Sequence, residues 1–543
     1  MSEKSSPWKE GNPDSSLVIV GEAPTKFEMK LGRPLIGPSG DVLNDCLHQA
    51  GIARKQAFVI NLWPMQVQKD KKGTIWFQGE RLWHSRGLTE LGLELAQDTI
   101  EELKASKANV VMPMGAPALE ACYGKRLPIT KWRGSPLWGS RISKKLMPTF
   151  HPAATIHGKY VWRYLIINDM MKLQDDLSSP LLNVPKRDIK LRPTLSEVYQ
   201  YIEACREARR FNFDLEILNH QVYCLSLCHD PAHAIVVPFI GPTGQDYWSE
   251  EDEIWFWKQF AGLLGDPDIM KCNQNLVGFD GPFLLNKCNI HMDGPLGDCM
   301  IANHIIYPEL KKDLGTVSSM HTREPYWKDD GKVHKNIKID WDVFQRYCGT
   351  DSCTALESWI ALEKELDEGG FRKTYDMTVR MAGPIAYMST VGLAVDRSGL
   401  DETNAKITKA IEEKERELEA AVGHPLNVNS PLECKTYFYE ELGLKPYLNM
   451  EGSPTVDDKA LTRIIRKSGV GSVQAKIVQE LRNLKKLKST YLDVETDKDG
   501  RLRCSWNPRG TWTGRLSSSE TILGTGMNLQ NLDPRFKGFI VAG

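Results

Sequence analysis

The sequence predicts a multidomain α/β chain, and three observations predict it. Its 543 residues exceed one typical hydrophobic core, so two to four domains of roughly 100 to 200 residues are expected. Apolar runs alternate with amphipathic stretches between Leu17 and about Leu173, which implies parallel strands joined by helices. Beyond Asp175 the pattern changes to short β-rich runs, then to helical periodicity, and after Phe371 to a mainly helical remainder.

In chain order, the first region offers Leu17-Val18-Ile19-Val20, a helical stretch after Ser39, Ala57 to Leu62, Leu91 to Leu103, and Val110-Val111-Met112. The segment from Asp175 to Pro193 carries three prolines and no clear period, which suits an interdomain connection. Next come β-rich runs from Arg210 to Glu216, Val222 to Cys228 and Ala234 to Pro238, followed by helical patterns from Glu250 to about Gly370. The expected division is therefore a first domain over residues 1–180, a linker over 181–193, a second domain over 194–370 and a third over 371–543. In the third, Ile407, Ile411 and Leu418 share one helix face, with Glu413, Glu415, Glu417 and Glu419 solvating the others.

Lys plus Arg number 69 and Asp plus Glu 70, a net charge of -1, so a nucleic-acid partner has to be held by local basic patches. Met1 to Glu10 is polar and lacks a secretory core, and no run approaches the roughly 20 apolar residues of a membrane span. A cytosolic protein with no membrane partner is expected. The 12 cysteines are scattered, and the close pairs Cys224 with Cys228 and Cys348 with Cys353 have no matching second pair for zinc, so reduced, packed thiols are expected.

Within Phe211-Asn-Phe-Asp214-Leu-Glu216, strand alternation points both carboxylates to one face, which is costly in a buried strand unless a cation lies between them. Alone, such a pair reads more readily as a solvated acidic edge. Asn275-Leu-Val-Gly-Phe279-Asp280 and Tyr347-Cys-Gly-Thr-Asp351 follow it, and together the three segments resemble the motifs of proofreading 3'-5' exonucleases, over roughly Leu191 to Glu365. The resemblance implies an RNase H-like sheet, with Asp214, Glu216, Asp280 and Asp351 holding two Mg²⁺ or Mn²⁺ ions for phosphodiester hydrolysis. Tyr347, one helical turn before Asp351, is expected to orient the attacking water, and Asp298 to serve as a structural carboxylate at a helix start.

Between Lys459 and Lys488, nine Lys or Arg stand against one acidic residue, Glu480, with apolar residues interleaved, which suits a duplex backbone. Thr511-Trp-Thr513-Gly-Arg515-Leu-Ser-Ser518, followed by Asn528-Leu-Gln530-Asn, resembles the family A DNA polymerase motif that grips the primer-template. The resemblance implies a thumb and the start of a palm, with Lys485, Lys486, Lys488, Thr513, Arg515, Asn528 and Gln530 contacting DNA. The stretch from Glu520 to Met527 separates the two halves of the motif more widely than expected. Leu426-Asn-Val-Asn-Ser-Pro-Leu and Val391-Gly-Leu-Ala-Val-Asp agree with that family, whose catalytic aspartates are expected beyond Gly543. The expectation is the N-terminal part of a phage-type polymerase, a split-gene product or a fragment. It would act in the cytoplasm of an infected bacterium on primer-template and single-stranded 3' ends, with a second chain as a candidate source of palm and fingers.

Val20-Gly21-Glu22-Ala-Pro, Gly32-Arg-Pro-Leu-Ile-Gly37, Asn61 and Phe150-His151-Pro-Ala resemble the uracil-DNA glycosylase superfamily over about Leu17 to Leu173. The resemblance implies that Asn61 reads the base edge, His151 stabilises the leaving anion and Glu22 positions water. Leu35 stands where many relatives place a stacking Phe, Ala23 where other branches carry Asp, and no cysteine set for an iron-sulfur cluster is present. Active excision, uracil sensing and a scaffold that has lost its chemistry all remain open. For the whole chain the alternatives are a stand-alone nuclease and a DNA-binding subunit of a split polymerase.

Overall fold

The computed structural model describes residues 8–331, 340–449, 452–521 and 525–541. They fall into two compact units, one ending at Arg380 and one beginning at Met381.

The first unit opens with a sheet built on Leu17–Gly21 (β1), Ala57–Asn61 (β2), Val110–Pro113 (β3) and Lys144–Leu146 (β4), all mutually parallel in the order β2-β1-β3-β4. Short antiparallel strands, Lys9–Glu10 beside β2 and Leu137–Gly139 beside β4, close its edges. Every residue of β1, β2 and β3 is buried, as continuous apolar runs in a sheet covered on both faces require. Alternation sorts them: Leu17, Ile19 and Val59 enter one core, packed under Pro38–Gln49 (α1) and Trp162–Leu173 (α2), while Val18, Val20, Phe58 and Ile60 enter the other. Because β1 lies centrally and the chain passes to β2 on one side and β3 on the other, a crevice forms at the C-terminal ends of these strands. A four-stranded antiparallel insert between Gln68 and Leu88 was not anticipated from the sequence.

The second sheet runs β5-β8-β7-β6-β9-β10, with β5 at Asp188–Leu191, β6 at Arg210–Leu218, β7 at Gln221–Asp230, β8 at His233–Pro238, β9 at Met270–Asn273 and β10 at Leu296–Asp298. The expected meander is the antiparallel β6-β7-β8 portion; β5, β9 and β10 add to it in parallel. Helices Leu195–Ala208 (α3), Glu250–Leu264 (α4), Asp280–Cys288 (α5), Cys299–Ile306 (α6), Leu314–His321 (α7) and Trp341–Glu368 (α8) surround it. The long α8 lies across β6, β7 and β8. Gly349 permits this approach: a Cβ there would lie 2.5 Å from Ile189 Cγ2 of β5.

Two expected boundaries are corrected. Asp188–Leu191 lies inside the proposed linker yet pairs with His233–Val236 as an edge strand, and Asp176 before it is buried between Lys145 and Arg323. The second domain does not stop at 370: Arg372–Arg380 (α9) belongs to the first unit, where the buried Tyr375 hydroxyl accepts from Asp298 N at 2.7 Å and donates to Leu296 O at 2.9 Å. The two sheets also share a core, since Leu310 and Met320 pack into the apolar cluster of the first sheet.

In the second unit, Ala382–Val391 (α10) leads to Leu393–Val395 (β11), which pairs antiparallel with Arg501–Leu502 and Ile540–Val541. Helix Arg397–Val422 (α11) buries Ile411 and Leu418, as its spacing predicted, against Ser472–Leu487 (α13), which also packs on Asp458–Arg466 (α12). All twelve cysteines are free thiols, and all but Cys288 are buried. Among the described residues, no helix is long and apolar enough to cross a membrane.

Candidate functional site

The acidic cluster is assembled from three elements. On β6, Asp214 and Glu216 lie opposite Ser226 and Cys224 of β7, so both side chains point to the face that α8 covers. Donor atoms of Asp214, Glu216 and Cys348 lie within 4.8 Å of one another. Asp280, in the first turn of α5, adjoins Asp214 closely enough for their charges to repel, and Asp351 of α8 repels both Asp214 and Glu216. Burial and the Asp351 charge push the Asp214 carboxyl up to about 7. Burial and neighbouring carboxylates likewise hold Glu216 and Asp280 well above the usual carboxylate range. These carboxyls gather in a place that favours their neutral forms.

The donor set fits a hard divalent cation, because clustered buried carboxylates that resist ionisation are short of positive charge and offer oxygen. Cys348 does not join them as a ligand. Its thiol is buried beside Ser226 Oγ, at 3.3 Å, and burial holds it protonated.

The sequence reading missed Lys328, whose ammonium donates to Asp351 Oδ2 and to the Tyr347 hydroxyl. Burial alone would lower its pKa, but Asp351, with Asp214 and Glu216, outweighs burial and raises it. Trp327 Nε1 donates to the other Asp351 oxygen at 2.6 Å. The Tyr347 hydroxyl, expected to orient water, is thus occupied by Lys328. Burial and the nearby carboxylates keep that phenol protonated. Asp298 is where its expected structural role requires: it caps α6, accepting from Met300 N at 2.9 Å, Ile301 N at 3.0 Å and Val277 N at 3.0 Å.

A second constellation lines the crevice of the first sheet. Asn61 ends β2 fully buried, with neither side-chain oxygen nor nitrogen hydrogen-bonded. Gly21 faces it, and a Cβ there would come within 2.3 Å of Asn61 Oδ1. Glu22 follows Gly21 and accepts from Lys69 Nζ of the insert at 3.2 Å. His151 follows Phe150, and its Nδ1 accepts from Ala153 N at 3.2 Å, which leaves the proton on Nε2 in the neutral ring. Burial lowers its pKa although the Glu22 charge opposes this. Leu35 is buried beside Gly21 in a left-handed conformation (φ 46°), backbone strain of the sort that gathers at functional sites. Cys46 and Cys122, the cysteines of this region, are buried in its cores.

In the second unit the basic front is less one-signed than its sequence. Lys485 pairs with Glu415 at 2.5 Å, and Lys488 with Asp493 at 2.6 Å, so acids from neighbouring segments answer these charges; Lys486 is exposed. Thr513 and Arg515 are exposed beside Trp512, which is 70% exposed. The wide spacing before Asn528 does not part the motif: Asn528 Oδ1 accepts from Ser518 Oγ at 2.8 Å, and Gln530 Nε2 donates to Leu516 O at 2.6 Å. Residues 522–524 of that spacing lie outside the described residues.

Sequence comparison matches two segments of the chain to known families. Residues 8–169 match the uracil DNA glycosylase superfamily and residues 397–537 match DNA polymerase family A. The chain therefore joins a segment similar to the uracil-DNA glycosylase superfamily to one similar to DNA polymerase family A. It is 27% identical to a DNA polymerase I of Streptococcus pneumoniae over 53% of this chain and 33% of the relative, so it spans about a third of that protein's length. It is 29% identical to the type-4 uracil-DNA glycosylase of Thermotoga maritima over 30% of this chain and 78% of the relative. The polymerase domain of Pol1 from M. smegmatis, solved with DNA primer-template and dNTP, aligns at a TM-score of 0.49 and 19% identity, covering 65% of this chain and 59% of that one.

Proposed function

We propose that this chain serves DNA replication as a polymerase-type protein whose second sheet carries a 3'-5' exonuclease, with Asp214, Glu216, Asp280 and Asp351 as its centre. The supporting observation is the convergence of these carboxylates, among which burial and then mutual repulsion raise the pKa values of Asp214, Glu216 and Asp280. In this reading they hold Mg²⁺ or Mn²⁺, which when bound supplies charge for the attacking and leaving oxygens of a phosphodiester. The chain's own part is positional. The register of β6 presents Asp214 and Glu216 side by side, Asp280 and Asp351 close the cluster from two helices, and Asp298 fixes the α6 end beneath it. Arg515, Asn528 and Gln530 are the proposed primer-template contacts, the last two bonded to Ser518 and Leu516 of the same motif.

Replacing Asp214 and Glu216 together by Ala should lower Mn²⁺-dependent digestion of 5'-labelled single-stranded DNA by more than about a hundredfold. Full digestion by a contaminant-free double variant would remove the assignment.

A second reading concerns the first domain, and the unpaired Asn61 amide supports it. A buried amide without partners costs on the order of 1–3 kcal/mol, which a uracil edge would repay by taking its oxygen and nitrogen. His151 Nε2–H is then the donor to the departing base and Glu22 the carboxylate for water. Asn61→Ala should abolish discrimination between uracil- and thymine-containing oligonucleotides in a binding assay. A wild-type chain that binds both equally would leave the domain as a scaffold.

A further inference from the structure

Lys328 has no part in the reaction described above, yet its ammonium bonds one of the four carboxylates. Its Nζ donates to Asp351 Oδ2 and Tyr347 Oη and lies 4.4 Å from the centroid of the Tyr347 ring. With Trp327 Nε1 on Oδ1, both oxygens of Asp351 are engaged. The segment that carries this pair is fixed from two directions. Arg187 holds Glu324 and also Glu357 of α8, each at 2.6 Å. From the first domain, Lys131 holds Asp329 at 2.7 Å, and the Trp132 ring lies 5.5 Å from that of Tyr326. Gly331 then lies so close to Tyr347 that a Cβ would come within 2.5 Å of its ring. Lys328 is therefore held in place, with 24% of its side chain exposed.

We propose that Lys328 is a tethered placeholder cation: its ammonium sits on Asp351 and must leave before that carboxylate takes a divalent ion. The inference rests on the nuclease reading. An ammonium within hydrogen-bond reach of Asp351 Oδ2 and a divalent ion about 2.1 Å from the same oxygen would repel each other strongly in so buried a place. One excludes the other. The ammonium thus keeps the carboxylates together without metal and weakens metal uptake by the cost of its own displacement. The contacts through Lys131 and Trp132 make the glycosylase-like domain one of the supports that hold the placeholder in position.

The test is Mn²⁺ titration of the full chain, read by the electron paramagnetic resonance signal of free Mn²⁺. Lys328→Met should bind Mn²⁺ at the cluster at least about tenfold more tightly than wild type, since it removes the competing charge. Lys328→Arg, which keeps a cation, should not. In the wild-type chain, saturating Mn²⁺ should increase acetylation of Lys328 by acetic anhydride several-fold, measured by mass spectrometry. That second reading decides the matter if circular dichroism shows Lys328→Met to be unfolded. Equal or weaker Mn²⁺ affinity in a folded Lys328→Met chain, or unchanged Lys328 labelling with Mn²⁺ demonstrably bound, overturns the placeholder. An Asp214→Asn/Glu216→Gln chain that binds Mn²⁺ as wild type does would instead overturn the nuclease reading beneath it.

Discussion

At His151 the surroundings impose a charge state. Burial lowers its pKa below the ordinary 6.5, and the Ala153 amide at Nδ1 favours the neutral ring with its proton on Nε2. A base whose folded pKa is depressed contributes stability above its unfolded pKa and loses it as pH falls through the folded value. The wild-type urea midpoint should therefore decline below pH 6.5 more steeply than that of His151→Asn, which cannot charge. Parallel midpoints between pH 7 and pH 5 would show that His151 protonates freely. Single residues such as Asp214 and Glu216 were legible in the sequence because strand alternation fixes their common face, and Asp298 because a carboxylate before Cys299–Ile306 is a natural cap. Lys328 was not. It stands in an aperiodic stretch, and its partner Asp351 is brought to it by tertiary packing alone.

Among elements, legibility followed length and repetition. The buried runs of β1, β2 and β3 and the long amphipathic α11 announced themselves through continuous or periodic apolar residues. β5 was hidden because Asp188–Leu191 alternates charged and apolar residues for only four positions between prolines, and its strand character comes from pairing with β8. The 68–88 insert is similarly short-stranded, and its polar residues face solvent, yet it delivers Lys69 to Glu22. α9 looked like the start of the helical third domain because one tyrosine does its anchoring. Only the fold reveals that the Tyr375 hydroxyl answers two backbone groups of β10. The split polymerase motif had the opposite fate: a spacing that looked disruptive still leaves Asn528 and Gln530 bonded to Ser518 and Leu516.

For the molecule as a whole, the sequence separated two domains where the structure has one interlocked unit, and a seam of buried charge explains the difference. Arg133 is 3% exposed and fully buried Asp169 lies against it, with Nε–Oδ distances of 3.0 and 3.1 Å. Arg133 also donates to Ser319 of α7 at 2.8 Å, and Thr149 donates to Asp169 at 2.7 Å. Beside them Lys172 donates to Gly134 O and Ser319 O, and burial, tempered by Asp169, pulls its pKa down to about 7. In a sequence such charges read as solvated faces, so nothing marks them as a joint between sheets. Removing one partner of a buried pair strands the other, at a cost of about 3–5 kcal/mol, whereas replacing both by apolar groups is often nearly neutral. Arg133→Met should therefore destabilise the unit by that amount, and adding Asp169→Leu should recover much of it, less the lost Thr149 bond. Because the seam joins α2 to α7, hydrogen exchange in Arg133→Met should speed up together in Trp162–Leu173 and Leu314–His321. Loss of protection confined to the first helix would mean that the two sheets open independently, and that the glycosylase-like domain is only appended to the second sheet.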